Sequence, residues 1–146
     1  MIREITAKET FIVRHLILRQ GKTIETCAFD GDDFSTTTHF GYSENEILVG
    51  VVSIFKKENV LFKTNNQYQI RGMAILENFQ NKGIGQKLVA ECEKFVKVKS
   101  GKLIWFNARI NAMNFYVKMN YEIVGNPFEI KDIGTHFLMR KRFLID

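Results

Sequence analysis

The stretch that most constrains this chain runs from Tyr68 to Val89 and reads YQIRGMAILENFQNKGIGQKLV. An apolar-leaning run, Tyr68 to Leu76, passes through a polar bend, Glu77 to Lys82, into Gly83-Ile84-Gly85 and then a helical pattern. The order is strand, glycine turn, helix N-terminus. The first turn of a helix leaves backbone N–H groups without intrahelical partners, and the helix dipole adds partial positive charge there, so phosphate oxygens are favoured. Gly83 and Gly85, lacking Cβ, let the backbone adopt conformations other residues resist and let a ligand approach the amides closely. Lys82 beside them adds a flexible cation suited to phosphate. The stretch reads as a pyrophosphate cradle, with plain turn chemistry as the competing reading, because a strand, GxG and a helix also occur without a ligand. It matches neither the dinucleotide fingerprint G-x-G-x-x-G, since position 88 is Leu, nor the P-loop pattern.

A chain of 146 residues, 45% hydrophobic and 25% charged, suits one globular domain spanning residues 1–146. No apolar run approaches the length that spans a bilayer, and MIREITAKET carries charge where a signal peptide would be apolar, so a cytoplasmic protein without membrane partners is expected. Cys27 and Cys92 form no short pairing motif, which argues against a disulfide framework and a structural zinc site, and no metal is expected. Cys92 falls on the apolar side of a helix, so a packed thiol is favoured over a reactive one. The net charge of +5 and pI near 9.2 fit an anionic ligand or nucleic acid. No dense basic run accompanies an aromatic platform, so a phosphate-bearing small molecule is expected and nucleic acid is not.

Met1 to Ile5 reads as a short strand, and Thr6-Ala7-Lys8-Glu9 is a capping-box pattern for a helix starting near Ala7. Phe11, Ile12, His15, Leu16 and Leu18 predict its buried stripe, and Gly21 its stop. His15 reads as a packed or edge histidine, since no second ligand stands at metal spacing. From Gly21 to Ser35 the pattern becomes a loop with Glu25, Gly31, Asp32 and Asp33, either a substrate-facing wall or a solvated connection. Thr36 to Tyr42 and Ile47 to Lys56 predict a hairpin turning through Ser43 to Glu46, followed by a polar connection from Glu58 to Gln67.

After the glycine turn, Ile84, Leu88, Cys92, Phe95 and Val96 form the apolar stripe of a helix that ends at Ser100-Gly101. Lys102 to Ala108 is a strand that must lie parallel to the Tyr68–Leu76 strand, giving a right-handed crossover. Asn111 opens a short helix, Tyr121 to Val124 returns to strand, Asn126-Pro127 breaks it, and Phe128 to Ile130 resumes it. His136 to Phe143 is the last strand. The class is α/β, more closely α+β with a mixed sheet.

The later residues give the turn partners. Met73-Ala74-Ile75 at a strand end, Gln80-Asn81-Lys82-Gly83-Ile84-Gly85 at the turn, and Asn111-Ala112, Phe115-Tyr116 and Asn120-Tyr121 together make the chain resemble the GNAT superfamily of acyl-CoA-dependent N-acetyltransferases. The turn keeps the pattern Q/R-x-x-G-x-G/A. The later pattern, N-x-x-A-x-x-[LF]-Y-x-x-x-G-[FY], is met with two departures: Ala112 directly follows Asn111, and Asn120 replaces the glycine, although Asn tolerates the same left-handed conformation. Leu18-Arg19 with Gly21, Phe29 to Asp33, Arg71-Gly72-Met73-Ala74, Trp105 to Arg109, Phe128-Glu129-Ile130 and Gly134-Thr135-His136 resemble a subgroup of small bacterial GNAT proteins of undefined substrate.

The resemblance implies a mostly antiparallel sheet, flanked by helices, whose one parallel strand pair splays apart to admit acetyl-CoA. It implies backbone pairing from Met73 and Ile75 to the pantetheine arm, a backbone N–H near Ala74 on the thioester carbonyl, and pyrophosphate on the amides of Asn81 to Gly85. Gln80, Lys82, Ile84, Gln86 and Asn111 complete the implied cofactor set. Tyr116 is the implied general acid for the departing thiolate; from periodicity alone, Phe115-Tyr116 reads as packing. Glu129, Glu25 and His136 are candidate general bases, with water-mediated deprotonation by none of them specifically as the alternative. Arg71, Asn107 and Arg109 lie near strand ends, where open α/β sheets bind ligands, and with His136 they are candidates for an amine acceptor, small molecule or peptide. Arg109 also reads as a loop cap or surface ion-pair partner. A homodimer is compatible with this reading, as is a CoA-binding module without chemistry.

Overall fold

Among the described residues, β-branched and aromatic runs become seven strands, and the apolar stripes become three α-helices. A computed structural model describes residues 1–143; the last three residues of the expected 1–146 domain lie outside the described residues. The strands are β1 Ile2–Ile5, β2 Thr38–Glu44, β3 Ile47–Lys56, β4 Gln67–Ile75, β5 Leu103–Arg109, β6 Glu122–Ile130 and β7 Gly134–Arg142. The helices are α1 Phe11–Leu18, α2 Ile84–Val98 and α3 Met113–Lys118. One mixed sheet runs in the order β1-β2-β3-β4-β5-β7-β6. Its parallel pair is β4 with β5, as the crossover requires. The described chain divides into two compact units, Met1–Lys56 with Ile70–Phe95, and Lys57–Gln69 with the described residues from Val96 onward.

In the first unit the capping box forms as read: Thr6 N–H donates to Glu9 Oε1 at 3.0 Å, and Glu9 N–H donates to Thr6 Oγ1 at 3.2 Å. A single-turn helix, Lys8–Thr10, precedes α1. The expected stripe on α1 is corrected: Ile12 and Leu16 are 67% and 54% exposed, and the buried residues are Thr10, Val13 and Arg14. A face chosen by counting apolar residues misses an arginine whose guanidinium is neutralised inside the protein. His15 is half-buried and its Nε2–H donates to Lys22 O at 2.7 Å, an edge histidine as expected. The hairpin turn is also shorter than expected. β2 continues through Ser43 and Glu44, and Asn45-Glu46 alone make the turn, with φ of 49° and 68°. Two consecutive left-handed residues are what a two-residue turn of right-handed twist demands. Ile84, Leu88, Val89 and Cys92 seat α2, and burial pushes the Cys92 thiol far up, so it is an inert packing group. Gly50 permits the close approach: a Cβ there would stand 2.9 Å from Ile75 Cδ1 and 3.1 Å from Ile84 Cγ2.

In the second unit, Gln67, Tyr68 and Gln69 pair in parallel with Leu103, Ile104 and Trp105. Phe62, Leu103, Trp105 and Leu138 form the core on one sheet face, and Trp105 Nε1–H donates to Lys57 O at 2.9 Å. Buried Gln67 fixes the polar connection before it, accepting from Asn59 N–H at 2.8 Å and donating to Thr64 O at 2.7 Å. Asn126-Pro127 does not end β6. The ladder slips between Val124 and Phe128, with Gly125 at φ 73°, and resumes at Phe128 opposite His136. Because β6 closes the sheet's edge, a proline that donates no hydrogen bond is tolerated there.

Candidate active site

The glycine turn follows β4 directly. Leu76 N–H donates to Val49 O at 2.8 Å, a helical turn covers Glu77–Phe79, and the Gln80 side-chain amide donates to Ile75 O at 2.9 Å. Gln80 thus ties the turn to the strand it leaves. Asn81 and Gly83 adopt φ of 62° and 83°, reversing the chain so that α2 starts at Ile84. Lys87 N–H donates to Gly83 O at 3.2 Å, which places the amides of Gly83, Ile84, Gly85 and Gln86 at the helix N-terminus, where the helix supplies them no acceptor. Gly83 is the glycine that the turn geometry requires. Gly85 lies within the first turn of α2 and has no positive φ, so the expectation that both glycines take unusual conformations is corrected to one. Asn81, Lys82 and Gln86 are exposed, Ile84 is buried, and Lys82 Nζ lies 5.4 Å from the Phe79 ring. On β4 itself Ala74 is buried, while Met73 and Ile75 are half-buried.

Upstream on β4, Arg71 takes part in a cluster that no sequence motif announced. The Phe29 ring has Arg14 at 3.9 Å, Arg71 at 4.8 Å and Arg19 at 5.1 Å from its centroid. Arg14 is fully buried: it donates to Asp32 at 2.7 and 3.1 Å, to Cys27 O at 2.8 Å and to Ser53 Oγ at 2.9 Å, while its Nε has no partner among the described residues. Asp32 also accepts the Phe29 N–H at 2.9 Å, so one carboxylate fixes both the arginine and the loop that carries the ring. Ser53 in turn lies 2.6 Å from His39 Nδ1, and His39 Nε2–H donates to Asp32 O at 3.0 Å. The loop is therefore bolted to the sheet. Gly72 allows the packing, since at φ 67° a Cβ would stand 2.9 Å from Phe29 Cε2 and 3.3 Å from Arg14 Nε. Burial first, and Arg14 second, lower the Arg71 pKa from its ordinary value. The signals were available in Arg14, one residue after Val13 on α1, and in the acidic Asp30 to Asp33 run, but only the fold joins them. Glu25 sits exposed on the helical turn Ile24–Cys27.

In the second unit, Tyr116 on α3 is buried among aromatic rings, 4.2 Å from Phe106, 5.0 Å from Phe115 and 6.1 Å from Tyr121 between centroids. Its carbonyl accepts from Met119 and Tyr121 N–H, closing α3 through Asn120 at φ 71°. Asn111 is exposed on the helical turn Ile110–Ala112. Register places Arg109 opposite His136, and Asn107 opposite Leu138. Opposed residues share a face and successive residues alternate, so Asn107, Arg109, His136 and Phe128 lie on the face opposite Phe106, against which Tyr116 packs. His136 is buried, donates from Nδ1–H to Gly134 O at 2.8 Å and stacks on Phe128 at 5.9 Å. Glu129 is exposed and accepts from the Thr135 hydroxyl. Among the described residues no three His, Cys, Asp or Glu side chains gather as a metal group.

Comparison with known proteins decides the family. The acetyltransferase (GNAT) family model matches residues 4–121. The chain belongs to the GNAT acetyltransferase family. GNAT membership makes it an acyltransferase. The uncharacterized N-acetyltransferase YitI of Bacillus subtilis (strain 168) is 29% identical over 140 residues, covering 96% of this chain and 94% of YitI. An aminoglycoside 6'-N-acetyltransferase crystallised with coenzyme A superposes with a TM-score of 0.79 at 14% identity, over 100% of this chain and 98% of that one. The ribosomal-protein-S18-alanine N-acetyltransferase from Escherichia coli gives 0.78 at 10% identity, over 100% and 95%. These solved structures share the fold of this chain. Within the GNAT frame the departure at Asn120 has a physical reason, because its positive φ is the conformation for which the family pattern has glycine, and Asn is among the residues that tolerate it.

Proposed function

We propose that this protein moves an acetyl group from acetyl-CoA directly to a primary amine of a small molecule or a peptide. The observation that carries the reading is the turn from Gln80 to Gly85, where two left-handed residues present successive amides at the start of α2. Those amides and Lys82 take the pyrophosphate, and the backbone of Met73 and Ile75 pairs with the pantetheine arm as an added strand would. Gln80 holds the turn through its bond to Ile75 O. Asn111 completes the cofactor set. The aminoglycoside enzyme crystallised with coenzyme A supports the cosubstrate. Its acceptor class and that of the S18-alanine enzyme, by their names, are a small molecule and a protein, which is why the acceptor is left at the level of an amine.

In the reaction the neutral amine attacks the thioester carbonyl carbon, and its nitrogen loses a proton as the C–N bond forms. The carbonyl oxygen carries the developing charge, which the Ala74 N–H is assigned to meet; one such donor contributes about 2.7–4 kcal/mol in measured cases. The C–S bond then breaks, and Tyr116 gives the leaving thiolate its proton. Glu129, Glu25 and His136 are the groups to test as the base, and Arg71, Asn107, Arg109 and His136 as acceptor contacts. Residues 1–146 act as one cytoplasmic catalytic domain in this reading, with no nucleic-acid or membrane partner, and a homodimer is compatible with it.

A second reading, a CoA-binding module without chemistry, draws support from the burial of Tyr116 among Phe106, Phe115 and Tyr121, which suits a packing role. Thiol release with a library of amines separates the two. Tyr116→Phe should cut turnover at least tenfold and leave acetyl-CoA affinity nearly intact, whereas unchanged turnover removes Tyr116 from the mechanism.

A further inference from the structure

Arg71 is a partly buried cation on β4. Among the described residues it makes no salt bridge and no side-chain hydrogen bond, yet it is only partly exposed and lies against the Phe29 and Phe55 rings at 4.8 and 5.6 Å. Arg19, also partly exposed, uses one Nη1 donor on Leu18 O at 3.1 Å and, among the described residues, has no acidic partner. Both guanidiniums lie about 5 Å from the centre of the Phe29 ring, so the two are within about 10 Å of each other. Cations gathered on one aromatic ring repel unless an anion joins them, and Arg14, the third of the group, is already neutralised by Asp32.

We infer that Arg19 and Arg71 bind the carboxylate of the acceptor, so that the amine acetylated belongs to a carboxylate-bearing molecule of the amino-acid kind. The inference rests on the acetyltransferase reading and deepens it. The charges acting on Arg71 are Arg14, Arg19, Asp30 and Asp32. Arg14 is paired with Asp32, so Arg19 and Arg71 are the cations on the ring left without an ion pair among the described residues. The two oxygens of a carboxylate match the fork of a guanidinium. Position agrees as well. Arg71 is two residues before Met73 on the same strand, at most about 7 Å along the chain, so the anion is held a short reach from the backbone assigned to the thioester. Asp32 fixes Phe29 through its backbone N–H, and the absence of a Cβ at Gly72 makes room for the ring, so the platform is rigid before the acceptor arrives.

The test is a matched panel of L-amino acids and their carboxamides. Thiol release with acetyl-CoA should favour the acid over its amide by at least tenfold in kcat/KM for the accepted side chains. Arg71→Gln and Arg19→Ala should each remove most of that preference through KM, and Arg71→Lys, which keeps the charge without the fork, should restore part of it. A binding arm needs no turnover: N-acetyl amino acids and their amides are titrated calorimetrically against the wild type and both variants. Amides binding as tightly as acids, a preference that survives both substitutions, or stronger use of O-phosphoethanolamine than of any amino acid would each overturn the carboxylate assignment. Failure of the wild type to bind acetyl-CoA would instead overturn the acetyltransferase reading, and the acid-against-amide titration would still decide the anion site.

Discussion

Removing the carboxylate of Asp32 should be among the most damaging single changes in the first unit. Asp32→Ala leaves the Arg14 guanidinium fully buried without its counter-ion, and also strips the acceptor from Phe29 N–H. Breaking a buried ion pair from one side costs about 3–5 kcal/mol, because the partner stays desolvated and unpaired. Against a total stability of roughly 5–15 kcal/mol, that is a large fraction. At about 2–4 °C per kcal/mol for a chain of this size, the midpoint should fall by on the order of 10 °C. Urea unfolding followed by tryptophan fluorescence and by circular dichroism measures the loss, and added salt at about 0.5 M should change it little because the pair is dry. Arg14→Met combined with Asp32→Leu removes both charges and should be less destabilised than Asp32→Ala alone. A loss under about 1 kcal/mol in Asp32→Ala would refute the claim that this pair holds the Phe29 loop.

Three further changes probe neighbouring features. Gly72→Ala forces a Cβ to 2.9 Å from Phe29 Cε2 at φ 67°, and should cost about 1–3 kcal/mol in denaturant unfolding, with acceptor KM rising as Phe29 shifts. Gly83→Ala meets nothing closer than 3.9 Å but is held at φ 83°, so calorimetry should show weaker acetyl-CoA binding with a smaller stability loss, about 1 kcal/mol. The Glu9 carboxyl is lowered first by the Thr6 N–H and then by Arg3. A carboxyl depressed in the folded state adds stability above its unfolded pKa and loses it as the pH falls through the folded one, so an acid titration of stability should have a shallower slope in Glu9→Gln.

Much of the fold was legible because hydrophobic period is a local property: β3, β4, α2 and β5 announce themselves within their own residues, and a strand, a helix and a strand of those lengths leave one parallel geometry. Where the reading slipped, a residue behaved against its type. Arg14 is buried because Asp32, eighteen positions away, neutralises it, so the inner face of α1 was invisible to an apolar count. Ser43 and Glu44 stay in β2 because Asn45 and Glu46 accept positive φ and close the hairpin later. The break at Asn126-Pro127 and the resumption at Phe128, by contrast, were legible, and an edge strand permits them. The geometry of the glycine turn was readable since it is contained in six consecutive residues. The ring of Phe29 with Arg19 and Arg71 was not, because its members come from a helix end, a loop and a strand that only folding brings together.

Acetyl transfer, as opposed to merely holding coenzyme A, is tested by following free thiol and acetylated product together, with wild-type protein, acetyl-CoA and the amino-acid panel. One thiol should be released per acetylated amine, at a rate that falls at least tenfold in Tyr116→Phe while calorimetric acetyl-CoA affinity holds. Tight acetyl-CoA binding with no thiol release above background for any amine would contradict acetyl transfer.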